Sequence, residues 1–218
     1  MTENLRSLTV PGAFVLLLQK PNGARYRNSM APPIVAAAEV GELALRERVS
    51  LEDKKIHLLD ASPVGVPWMD EALAKIDAKT GGGSKPHGVF RWVSLRGNGI
   101  IRKHREVLGQ RQVLEPVRET LLGVVPRNRY VPDEATRDGV LDELRRAARG
   151  GEVDDRLAVL CSLVHASNAA PTLGFDKQER AQLKEISRSE TLGKSVQQTV
   201  AVLTAVALAA AAASSAGS

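Results

Sequence analysis

The sequence predicts a mainly α fold: a single globular domain with a central helical core, surrounding amphipathic helices and short β-hairpins. Three observations predict it. Hydrophobic residues make up 43% of the 218-residue chain but aromatics only 3%, so the core must be built from Leu, Val, Ile and Ala, which suits packed helices better than aromatic-rich strands. Several segments repeat their apolar residues at helical spacing. The one cysteine, Cys161, lies in the apolar run Leu157 to Val164, which rules out a disulfide framework within the chain and implies a reducing compartment.

Taken in order, Thr9 to Leu18 begins with a Thr cap and a Pro and breaks at Lys20-Pro-Asn-Gly23, so it reads as a short buried helix or strand before a turn. Ile34 to Arg48 is rich in Ala, Leu and Glu with helical periodicity and is expected to be a helix. Val49-Ser-Leu51, the charged turn Glu52 to Lys55 and Ile56 to Leu59 read as a β-hairpin. A second helix runs through Met69 to Ile76 and ends in the flexible connection Thr80-Gly-Gly-Gly-Ser84.

A basic segment follows, then a hairpin over Leu114 to Val125, so helix followed by hairpin occurs twice. Asp133 to Arg149 is an amphipathic helix closed by Gly150-Gly151, and Asp154 to Ser167 is a more apolar one expected at the centre. Asp176 to Ser189 is a charged helix. The run Thr199 to Ala213 holds eight alanines in 15 residues, too short and too weakly hydrophobic for a membrane span, so it is expected to pack in or on the core. The domain is placed at 1–213, with 214–218 as a frayed tail. The apolar run Ala13 to Leu18 is likewise too short to span a membrane and lacks a small-residue cleavage site, so the chain reads as unprocessed.

The formal charge of +5 and pI near 9.6 point to an anionic partner only if the charge is clustered. Between Lys85 and Arg111 stand seven basic residues against Glu106 alone, more than the net charge of the whole chain. Arg102-Lys-His-Arg105 sets two guanidiniums three residues apart on one helix face, where they could converge on a phosphate through forked hydrogen bonds; the alternative is a solvated helix surface.

Chemistry of other kinds finds little support. No two of His57, His87, His104 and His165 have the i, i+4 spacing of a helical zinc site, so no metal and no cofactor are expected. Gly81-Gly-Gly-Ser-Lys85 lacks the spaced second glycine and following Ser/Thr of a phosphate loop and reads as linker. Asp70 and Glu71, or Asp154 and Asp155, are adjacent and diverge by about 100° on a helix, so they cannot share one proton-transfer site. No catalytic residue is expected, and the chain is read as not an enzyme.

Three stretches in order resemble the Golgi phosphoprotein 3 family: Glu42-Leu-Ala-Leu-Arg-Glu-Arg-Val49, Asp60-Ala-Ser-Pro-Val-Gly-Val-Pro-Trp-Met-Asp-Glu-Ala-Leu73 and Asp155-Arg-Leu-Ala-Val-Leu-Cys-Ser-Leu-Val-His-Ala-Ser167. Val113-Leu114 before a hairpin adds to the likeness, which spans nearly the whole chain. The resemblance implies a helical core with one face laid on a membrane, an anionic headgroup such as phosphatidylinositol 4-phosphate held by basic residues, and an adaptor role without catalysis. It also implies protein cargo, self-association through a hairpin in the position of 114–125, and a cytoplasmic location, peripheral on the cytoplasmic face of a membrane. The family's Trp-Asn pair aligns with Arg27-Asn28, and its Arg at the start of the next helix aligns with Ala36. Its Arg-x-x-Arg-Glu is matched by Arg102 to Glu106 when about one helical turn is deleted before Val113; ungapped, Asn98 and Ile101 take the two positions.

The candidate headgroup-binding residues are therefore Arg27, Asn28, Arg91, Arg96, Arg102 and Arg105, with Phe90 and Trp92 as candidate membrane contacts or, equally, core residues. The competing readings are a winged-helix nucleic-acid binder using the basic helix, and a protein-interaction scaffold that binds no lipid. Nucleic acid is not the expected partner.

Overall fold

The computed structural model describes residues 5, 7–83, 85–97, 99–121, 125–189 and 194–215. Three apolar helices form its centre. In α1, Val10–Leu17, Thr9 caps the N-terminus by accepting from the Gly12 N–H at 3.3 Å, Pro11 sits where a missing N–H costs nothing, and all eight residues are buried. The open choice between helix and strand is thus settled as helix. α2, Ala31–Leu45, and α7, Asp155–Ala166, pack against it, and Cys161 lies fully buried in α7, where desolvation pushes its thiol up to about 12.

Around this centre α2 leads into the hairpin β1, Val49–Glu52, and β2, Lys55–Leu58, and then α3, Pro67–Thr80, ends on Gly81 at φ 60°, a left-handed cap that suits glycine. A two-residue strand β3, His87–Gly88, adds to β2 and opens directly into α4, Val89–Arg96, followed by α5, Ile100–Gln110. The sequence reading assigns no helix over 89–96. Its Val, Phe and Trp content favours strand, and packing of the segment onto α2, with Trp92 bonded to Ala36, makes it a helix instead.

The second hairpin is longer than the sequence suggests. Strands β4, Leu114–Leu121, and β5, Val125–Pro132, pair from Leu114↔Pro132 to Leu121↔Val125, so the segment 114–125 contains β4 and only the first residue of β5. Residues 122–124 lie outside the described residues. Gly23 shows why the loop before α2 must turn sharply: at φ 74°, a Cβ there would stand 2.9 Å from Val131 Cγ2, and its carbonyl accepts from the Tyr130 N–H at 3.1 Å.

Three more helices complete the fold: α6, Glu134–Ala148, α8, Lys177–Ile186, and α9, Lys194–Ser215. Asp133, Asp154 and Asp176 cap α6, α7 and α8 with their carboxylates, and α8 carries a full capping box with Glu179. The Ala-rich α9 packs on α2 and α7 rather than standing free. It continues through Ser215, so the predicted tail 214–218 loses its first two residues to the helix, and 216–218 lie outside the described residues. Among the described residues, no helix is long and apolar enough to cross a membrane.

Candidate functional site

The basic segment folds so that its charges part company. On α4, Arg96 turns inward: its Nε and Nη2 donate to the two oxygens of Glu39 at 2.7 Å each, Nη1 reaches Glu71 at 3.4 Å, and the guanidinium lies 5.1 Å from the Trp92 ring centre. Burial alone would lower the Arg96 pKa, but the hydrogen bonds and charge of Glu39, and then of Glu71, outweigh it and raise the pKa above arginine's ordinary value. Glu39 is fully buried in α2, so this fork is internal structure rather than an open phosphate grip.

On α5 the pattern repeats. His104 is buried with Nε2 3.2 Å from Glu39 Oε1, and Lys103 pairs with Glu71, which also accepts from Lys75 at 2.6 Å. The hydrogen bonds from Lys103 and Lys75 hold the Glu71 carboxyl down to about 2. Arg105 is half-buried, donating Nη2 to Gln19 at 2.8 Å and lying over the Tyr130 ring at 4.9 Å, while burial and then the nearby Arg25 charge lower its pKa. Arg111 donates to the Ser7 carbonyl at 2.9 Å.

What remains outside is a smaller set. Arg91 is exposed on α4 and Arg27 in the loop before α2, each without a hydrogen bond or ion pair among the described residues; Arg102 on α5 is exposed and 3.9 Å from Glu106. The predicted group of six is therefore not one cluster. Asn28 is structural, its side-chain oxygen accepting from the Met30 N–H at 2.9 Å and its amide donating to the Ser167 carbonyl at 3.0 Å.

The two aromatic candidates separate as cleanly. Trp92 is 2% exposed and its indole donates to the Ala36 carbonyl at 3.2 Å, which makes it core; Phe90 is 39% exposed. Leu95, 60% exposed, joins Phe90, Arg91 and Ser94 on the outer side of α4. The sequence reading misses Leu95 because it assigns no helix there; once α4 is helical, the spacing of 90, 91, 94 and 95 places all four within one face.

The positions that the resemblance assigns to the headgroup are changed in kind. Arg27 is exposed, Ala36 and Ile101 are buried, and Asn98 lies outside the described residues. On α5, Ile100, Ile101, His104 and Leu108 are buried, and Lys103 and Arg105 are engaged within the molecule. Among the described residues, no group of three His, Cys, Asp or Glu side chains could hold a metal ion.

A family model described as Golgi phosphoprotein 3 (GPP34) matches residues 11–203. No curated protein matches the chain.

Proposed function

The chain belongs to the Golgi phosphoprotein 3 family, and from that premise we propose that it is a peripheral membrane protein that binds anionic lipid headgroups, acting as an adaptor and not as an enzyme. The observation that carries this reading is the outer face of α4, where exposed Phe90 and Leu95 flank Arg91 and no acid neutralises the arginine among the described residues. Apolar side chains entering the interface beside an unpaired cation are the two ingredients of reversible membrane docking, and each basic residue near an anionic leaflet is worth about 1 kcal/mol. Exposed Arg27 and Arg102 add to the attraction.

Recognition is by charge density rather than by the shape of one headgroup. Where the resemblance expects an aromatic ring and a second arginine stand Arg27 and the buried Ala36, so phosphatidylinositol 4-phosphate is bound as one anionic lipid among several. Sheet β4–β5 has no third strand among the described residues, and while the loop at Gly23 covers part of β5, the outer edge of β4 supports self-association through strand pairing.

Vesicle flotation tests the reading. The protein is expected to float with phosphatidylserine vesicles and with phosphatidylinositol 4-phosphate vesicles of matched charge, to stay behind with phosphatidylcholine alone, and to release as salt rises. Arg91→Glu with Leu95→Ser should weaken flotation about tenfold or more at unchanged thermal stability. Equal binding to neutral vesicles, or unchanged binding of the double variant, would remove the proposal.

A further inference from the structure

A cavity of about 320 Å³ opens between the start of α1, the loop before α3 and the end of α5, and none of the residues assigned to the membrane lines it. Its floor is Gly12, Trp68, His104 and Leu108, all buried; Arg46, Pro67, Gln110 and Arg111 stand exposed at its rim. This volume is at the lower end of small-molecule pockets.

Two features make it more than a surface dent. Trp68 Nε1 and His104 Nδ1 are buried with no hydrogen-bond partner among the described residues, although each side chain is about 1% exposed and the two rings pack edge to face with centres 5.0 Å apart. Buried polar atoms are nearly always paired in a folded protein, so two orphans on one cavity floor mark a place where a bound molecule completes the structure. His104 presents Nε2 to the Glu39 carboxylate, which only accepts, so that nitrogen carries a proton; Nδ1 then accepts in the neutral ring and donates in the charged one.

The second feature is the sign of the charge. No Asp or Glu lines the cavity among the described residues, while the Arg46 guanidinium does. Arg46 gives its Nε to Glu42 at 2.8 Å, but both Glu42 oxygens are also held by Arg156 at 2.8 and 2.9 Å, so this trio keeps one net positive charge. Val66, Pro67, Val107 and Leu108 supply apolar wall.

We propose that this cavity binds a small organic carboxylate, whose oxygens take the Trp68 indole hydrogen under the attraction of Arg46 while its apolar body lies on Val66, Val107 and Leu108. Guanidinium forks match carboxylate geometry, and the indole N–H is a donor only, so an acceptor-rich anionic head suits Trp68, with His104 Nδ1 a second donor to it only in the charged ring, and a hydrocarbon body suits the walls.

The full chain labelled with nitrogen-15 carries two indole reporters, Trp68 and Trp92. Titration with octanoate is expected to move the Trp68 indole N–H signal, assigned by its loss in Trp68→Phe, to saturation. The Trp92 signal, already bonded to the Ala36 carbonyl, should stay in place. Octanol should leave both unmoved. Arg46→Gln, which leaves Glu42 held by Arg156, should weaken octanoate about tenfold, as loss of a charged hydrogen bond implies, while its Trp92 signal reports an intact core and its vesicle flotation matches the parent protein. A Trp68 signal that never moves, one that moves equally with octanol, or an Arg46→Gln protein that titrates like the parent would each overturn the proposal.

Discussion

The inner and outer sides of α4 and α5 are built from the same short, basic piece of chain and behave as opposites. Inside, Arg96 and His104 are matched to the buried Glu39, and Lys103 is paired with the exposed Glu71; outside, Arg91 has no acid among the described residues and Arg102 only the distant Glu106. Trp92 and Phe90 divide in the same way, two residues apart on one helix. A segment's charge count therefore says little about the field a partner meets, because cations that reach a buried carboxylate stop contributing to the surface.

The sharpest way to break this contrast is to remove the inner acid. Glu39→Ala leaves the Arg96 guanidinium buried without its partner and should lower the free energy of urea unfolding by about 3–5 kcal/mol. Adding Arg96→Met should recover most of that loss, since an apolar chain needs no counter-charge there. A single variant as stable as the parent would show that the network is not enclosed as described.

The aromatic pair gives the next largest difference. Trp92→Phe removes the indole's hydrogen bond to the Ala36 carbonyl and leaves a gap in the core, and should cost about 1–3 kcal/mol, whereas Phe90→Ser should stay within about 0.5 kcal/mol and act on vesicle binding instead. Equal stability losses from both would erase the division between the two faces.

Acid should sharpen the comparison from the side of the carboxylates. Lys103 and Lys75 hold Glu71 down to about 2 from an ordinary 4.5; at Glu42, burial raises the pKa, but Arg156, Val10 and Arg46 more than compensate and leave it lowered. A folded-state pKa below the unfolded one contributes stability above the unfolded value and loses it as pH falls through the folded one. The melting temperature should therefore drop between about pH 4.5 and 2, and high salt should not abolish the part due to buried Glu42. The smallest effect is expected from Arg102→Ala, under about 0.5 kcal/mol in stability, since its pair with Glu106 is long and exposed.

Much of the scaffold was legible because its signals are local. Asp133, Asp154 and Asp176 each precede an apolar periodic run and each caps the helix that follows, the first hairpin turns at charged residues 52–55, and the apolar run around Cys161 is a central helix. α4 and the far strand of the second hairpin were less legible: a strand-like composition hid the first, and the hairpin was closed one strand too early. The candidate surface was half legible. Arg91, Arg102 and Phe90 lie outside, and Arg96 and Trp92 do not.

The sequence by itself determined most of the helices, the aliphatic core and the Golgi phosphoprotein 3 family. Only the tertiary structure decided which cations remain available, because Arg96 meets Glu39 across 57 residues of sequence and Lys103 meets Glu71 across 32. Capping and amphipathic periodicity act over one or two helical turns, but the desolvation and pairing of a charge depend on whatever distant group the fold places beside it.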